Sequence, residues 1–238
     1  VHEQSHEKER DMSTCRLHPP GPRPQPGLLG ECRGLPTSIL SDSMDRVGGL
    51  RGVHRVPGAS WPRVAGPALT VRTRPGDNLV VHRALDLAEP GDVLVVDAGG
   101  SLERAVLGEI MARYAAARGL GAIVVDGAVR DAEGLAAGPV PVFALGINHL
   151  GPYKDGPGEI HGPVTVGGTV VRSGDVVVGD GDGVVVVPQE RLAEVVGLGK
   201  ERLASEDEQF AQIAAGTFDR SWVTRALAEV HVGDEVVQ

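Results

Sequence analysis

Aromatic residues make up only 3% of this sequence, and it holds two cysteines, Cys15 and Cys32. So few aromatics leave the core to small and β-branched side chains. Two cysteines without metal-ligand spacing exclude a disulfide framework and a Cys-based metal cage, and point to free thiols in a reducing cytoplasm. A basic excess is also missing. The formal charge is −9, which argues against a direct nucleic-acid surface. An anionic ligand would need a local arginine or a metal to overcome that field. There is no apolar run long enough to span a bilayer and no secretory leader pattern, so the expectation is a cytoplasmic protein without a membrane partner. The segment Asp97-Ala98-Gly99-Gly100-Ser101 follows a strand pattern, but GxGxxG and the P-loop Lys-Ser/Thr pair are lacking. It reads as a tight turn, which weighs against dinucleotide or S-adenosylmethionine binding. What is present is valine, alanine and glycine, within a 41% apolar composition that suffices for a sizeable core of layered strands and helices.

The chain divides by composition. Residues 1–35 read as a flexible tail, polar first and then Pro/Gly-rich through His18-Pro19-Pro20-Gly21-Pro22, a composition hostile to a regular helix or central strand. His2 and His6 in it read as mobile side chains, and Met12 as an alternative start. The folded domain is expected over 36–238. Thr37 is placed to cap a helix that Gly48-Gly49 ends. Strands are expected at 68–74, 91–98, 122–127 and 140–146, with helices near 78–88 and 108–118. After residue 150 short Val-rich strands alternate with Gly/Asp turns, among them Gly179-Asp180-Gly181-Asp182-Gly183, which lacks EF-hand length and reads as a hairpin turn. A helical end follows Pro188.

The chemistry concentrates in Gly108-Glu109 and, after twenty intervening residues, Arg130-Asp131. Arg130 and Asp131 close a buried strand, where charge must find a partner, a ligand or a metal. An arginine fork suits a carboxylate or an enolate, and an adjacent Asp is a hard oxygen ligand for Mg²⁺ or Mn²⁺. From these two residues alone, a surface turn with a local ion pair is the default. Glu109 shifts the balance. It follows Gly108 at a helix start, whose unpaired N–H groups, those of Ile110 and Met111, suit a carboxylate. A parallel crossover through this helix would bring its start and the ends of both flanking strands to one edge, so that Asp97, Glu109, Arg130 and Asp131 converge. Lys154, a formal Schiff-base candidate, carries no sign of desolvation, and His149 and His161 read as loop residues.

Several of these pieces together, namely "TSILSDSMDRVGG", "VAGPALTVRTRPGDNLVVHRAL", "EPGDVLVVDAGG", the 108–131 segment and "GPYKDGPGEIHGPVTVGGTVVRSGDVVVGDGDGVVVVP", resemble the RraA-like family over about residues 36–220. That family includes 4-hydroxy-4-methyl-2-oxoglutarate aldolases and regulators of ribonuclease activity A, and relatives often labelled demethylmenaquinone methyltransferase. The resemblance implies a swivelling α/β/β domain with a central sheet, flanking helices and C-terminal helices. It implies a homotrimer or hexamer with sites between subunits. It further implies a divalent-metal-dependent lyase that cleaves a 4-hydroxy-2-oxo acid, or decarboxylates oxaloacetate, to pyruvate through a metal-bound enolate. In that correspondence Asp131 and Glu109 serve the metal, Glu109 through water. Arg130 binds substrate and steadies the enolate, Gly108 with the amides of Ile110 and Met111 grips the carboxylate, and a neighbour's Glu206 or Glu208 completes the site. Glu109 stands where Asp is common, and His161 where the family often has Asn, a departure bearing on substrate choice. The alternative is a non-catalytic ring that inhibits an endoribonuclease.

Overall fold

A computed structural model of the chain describes residues 15–230. These form two units, one ending at Gly199 and one beginning at Lys200. His2, His6 and Met12 lie outside the described residues.

The first unit is built on a mixed sheet. Strands β3 (Val64–Thr73), β4 (Val93–Asp97), β6 (Ala122–Val129) and β7 (Val142–Ile147) run parallel in that spatial order. Parallel neighbours require crossovers, and helices α3 (Leu79–Leu87), α4 (Glu109–Ala117) and α5 (Ala132–Ala136) occupy them. Because side chains alternate along a strand, each valine-rich run serves two cores. Leu94, Val96, Ile123 and Val125 pack with Val81, Leu85, Met111 and Ala115 of the helices. Val93, Val95, Val124 and Phe143 pack on the opposite face against Val164, Val166, Val177 and Val186. That second cover comes from two hairpins, β9 (Val164–Val166) with β10 (Thr169–Val171), and β11 (Val176–Gly179) with β12 (Val184–Val187). The layers are therefore helices, main sheet and hairpins, as expected. β11 also pairs with the first half of β3, joining the hairpin layer to the sheet.

The N-terminal expectation needs correction. Cys15–Leu17 is a strand, β1, lying parallel to β8 (Gly158–Ile160), which itself pairs antiparallel with β3. Pro26–Gly34 is a helix, α1, with proline in its first turn, where a missing N–H costs nothing. The other prolines that argued for a tail, Pro19, Pro20, Pro22 and Pro24, fall in the connector between the two. Cys32 is fully buried, Arg23 Nη1 donates to Asp92 at 2.8 Å, and Arg33 Nη2 to the Ala65 carbonyl at 3.0 Å. The ordered domain thus includes residues 15–34.

Thr37 does not cap its own helix either. It is the first residue of α2 (Thr37–Asp42), and its N–H and hydroxyl both donate to the Asp180 carboxylate, at 3.0 and 2.7 Å. The helix stops at Asp42, before Gly48-Gly49, because Asp45 and Arg46 take left-handed backbone angles (φ 57° and 63°).

Helix α6 (Leu192–Ala215) begins in the first unit, with Leu192, Val195 and Val196 buried. The second unit holds its remainder and α7 (Ser221–Val230), whose entry is capped by Asp219 accepting from Ser221 N–H at 2.7 Å. Among the described residues no helix is long and apolar enough to cross a membrane.

Candidate active site

One short strand was not anticipated, and it builds the site. β5 (Ala105–Leu107) pairs with the last residues of β6, and Arg130 N–H donates to the Leu107 carbonyl at 2.9 Å. The next residue on each side is then Gly108, N-cap of α4, facing Arg130 and Asp131. Asp131 has a left-handed backbone (φ 59°, ψ 46°), which aspartate tolerates better than most residues. Its Oδ2 accepts from Glu109 N–H at 3.1 Å, so a carboxylate sits on the positive end of α4. Arg130 Nε lies 3.6 Å from the same oxygen. Only glycine at 108 leaves this arrangement undisturbed, although its backbone is extended (φ −144°), because a Cβ there would overlap Asp131 Oδ2 and stand 3.0 Å from Arg130 Cγ.

These groups open on a cavity of about 240 Å³. It is lined by Gly108, Ile110, Met111, Arg130 and Asp131 together with Asn78, His82, Pro152 and Lys154. Ile110 and Met111 belong to the first turn of α4, where no intrahelical acceptor is available to their N–H groups. Glu109 is only partly where the sequence suggested. Its backbone joins the site, but its carboxylate is held by Arg113 one turn on, with Nε at 2.7 Å, over Gly134. Asp97 does not join at all. It shares the pleat parity of Val93 and Val95 and so faces the hairpin layer, where its Oδ2 accepts from Arg72 Nε at 3.4 Å and Thr165 N–H at 3.3 Å.

Two site residues escaped the sequence reading. Asn78 is buried; its amide nitrogen donates to Met111 Sδ at 3.2 Å, and its Oδ1 has no partner. An unsatisfied buried acceptor in a cavity wall is a place for a ligand donor. His82 is pushed below the usual histidine pKa, first by burial and then by the Lys154 ammonium, against an opposing pull from Asp86. Their i, i+4 spacing at the start of α3 is the signal that could have found them. Lys154 lines the cavity after all. His149 is exposed and His161 does not line the cavity; the His161 ring bonds Ser173 Oγ at 2.9 Å. Its left-handed backbone (φ 64°) is a conformation that asparagine also takes readily. Glu206 and Glu208 are exposed on α6 within the second unit.

A larger concavity, about 630 Å³, lies along Gly48–His54 and the Gly183 turn. Its charged groups Arg46, Arg51 and Asp182 are exposed, and among the described residues no unpartnered buried acceptor like Asn78 Oδ1 lines it.

Among the described residues no three His, Cys, Asp or Glu side chains group closely enough to enclose a metal. A closed zinc-type cage is therefore a poor match. The cavity offers one hard carboxylate, that of Asp131, and a magnesium-type ion takes one or two carboxylates and fills its other positions with water and substrate oxygens.

A family model described as RraA-like (Aldolase/RraA) matches residues 37–186. A protein of Halalkalibacterium halodurans carrying the name 4-hydroxy-4-methyl-2-oxoglutarate aldolase is 38% identical over 180 residues, 76% of this chain and 85% of its own length. Among solved structures, an uncharacterized protein from Pseudomonas syringae superposes with a TM-score of 0.73 at 30% identity, covering 82% of this chain and 96% of that one. The RNA-processing inhibitor RraA from Thermus superposes with a TM-score of 0.59 at 36% identity, covering 64% and 92%. On the match over 37–186, and with an α/β/β fold that agrees, this chain belongs to the RraA-like family.

Proposed function

We propose that the protein is a divalent-metal-dependent lyase that releases pyruvate from a small 4-hydroxy-2-oxo acid, with oxaloacetate decarboxylation as a second outlet of the same chemistry. The observation that carries this reading is the meeting of Arg130, Asp131 and the start of α4 on one cavity that also holds an unsatisfied buried acceptor. A cavity of about 240 Å³ suits a small acid and not a dinucleotide.

Asp131 would hold the cation, with Glu109 ordering water beside it; when bound, the cation polarises the substrate's keto group. The N–H groups of Ile110 and Met111 take the 1-carboxylate. Arg130 faces the C2 oxygen and stabilises the negative charge that gathers there as the C3–C4 bond breaks. Water ordered by Glu109, whose carboxylate leaves Arg113 to do so, accepts the proton of the 4-hydroxyl. Asn78 Oδ1 accepts a hydrogen bond from a substrate hydroxyl, and Lys154 balances a second carboxylate. The working unit is read as a homotrimer or a hexamer, in which a neighbour's Glu206 or Glu208 reaches the site; sedimentation and a Glu206→Gln, Glu208→Gln pair of variants test that.

The test of the function is pyruvate release from 4-hydroxy-2-oxo acids and from oxaloacetate, with and without Mg²⁺ or Mn²⁺. Arg130→Ala should cut kcat/KM by about 10²–10³-fold, the loss typical of removing one donor to a developing oxyanion. Full activity in that variant would overturn the assignment.

A second reading is favoured by the likeness to the Thermus RNA-processing inhibitor. Binding of an endoribonuclease by a protein that releases no pyruvate from any of these acids would select it.

A further inference from the structure

Part of the cavity wall is made from two loops far apart in sequence, Arg74–Asn78 ahead of α3 and Pro152–Gly156 after β7. Asp77 lies between them and is fully buried. Its Oδ1 accepts from Leu79 N–H at 2.9 Å, the usual duty of an acid ahead of a helix. Its Oδ2 does something else: it accepts from Asp155 N–H at 2.8 Å and Gly156 N–H at 3.1 Å, and pairs with Arg74 Nη2 at 3.1 Å. One carboxylate thus takes four donors, two of them from the residues immediately after Lys154. The residue immediately before Lys154 is tied to the same loop: Tyr153 N–H donates to the Gly76 carbonyl at 2.8 Å, and its carbonyl accepts from Asn78 N–H at 3.0 Å. Arg74 and Arg104 also lie over the Tyr153 ring, at 5.6 and 4.3 Å from its centre. A plain helix cap would leave the second oxygen to solvent.

We propose that Asp77 is a positioning residue: its carboxylate staples the two loops together and so presets Asn78 and Lys154 in the wall of the cavity that Arg130 also lines. It touches no substrate itself. Its effect on turnover rests on the lyase reading; the staple does not.

The variant is Asp77→Asn, which keeps the shape but turns one acceptor into a donor facing N–H groups. Hydrogen exchange of the 152–157 segment reports the staple whatever the site binds, and should speed up at least about tenfold with exchange in β4 and β6 unchanged. The kcat/KM for pyruvate release should fall about 10–100-fold, and most of that loss should vanish when the change is made in a Lys154→Met background, since two residues acting through one another are not additive. Unchanged exchange at 152–157 overturns the proposal, and so do fully additive losses. A parent protein that releases no pyruvate overturns the lyase reading instead; the staple is then decided by exchange alone.

Discussion

Gly108→Ala separates chemistry from folding at this site. The added methyl would overlap Asp131 Oδ2 and press on Arg130, 3.0 Å from Cγ and 3.1 Å from Nε. The backbone at 108 is extended, so no strain arises there. The carboxylate must move by about 1 Å, which breaks its bond to Glu109 N–H. A displacement of that size in a positioned group costs about 10²-fold in rate, or about 2.7 kcal/mol of barrier. Stability should change little. Asp131 and Arg130 are 43% and 40% exposed, so both can swing toward solvent without leaving a buried charge or a void. The expected result is a kcat/KM lowered about 100-fold with Tm within about 3 °C of the parent, a shift that corresponds to less than about 1 kcal/mol. Pyruvate release coupled to lactate dehydrogenase measures the first and calorimetry the second. Full activity would refute the role given to the contact between residues 108 and 131. A collapse in Tm matching the activity loss would refute its confinement to the site.

Two further predictions concern the frame. Burial pushes the Cys32 thiol up to about 12, while Cys15 is exposed. A chromogenic disulfide reagent at pH 8 should therefore titrate one thiol at once and the second only on unfolding; two fast equivalents would refute the burial of α1. Burial would raise the Asp180 pKa, but Thr37 N–H and hydroxyl, Asp182 N–H and Arg63 together hold it below the usual carboxylate range. A depressed folded value stabilises above the unfolded pKa, about 3.9, and that contribution is lost as pH falls through the folded one. Asp180→Asn should cost about 1.5–3 kcal/mol near pH 7, the range for hydrogen bonds to a charged group, and the difference should shrink in acid. A gap of equal size at pH 3 would refute this account.

The parallel strands were readable because each carries a short Val-, Leu- or Ile-rich run between turn residues, and both faces of the sheet are covered. Arg130 and Asp131 were readable because an Arg-Asp pair directly after a buried run stands at the end of a parallel strand, the edge where such sheets place their ligands. Asp97 misled for a related reason. It too follows a buried run, but pleat parity sends it to the hairpin layer, and parity across a crossover cannot be judged before the register is known. β5 is three residues long and carries no periodicity, so the strand that aligns Gly108 with Arg130 was invisible. The segment 15–34 was misread because proline density was taken for disorder. Pro26 instead opens a helix, and Arg23 and Arg33 fasten the segment through partners at Asp92 and Ala65 that local sequence cannot reveal.

The pairing of Cys15–Leu17 with β8 has a practical consequence. A protein trimmed to begin at Pro36 would leave the outer backbone of Gly158–Ile160 with no strand beside it. Bare strand margins recruit other chains. Such a shortened form would invite intermolecular stacking at high concentration.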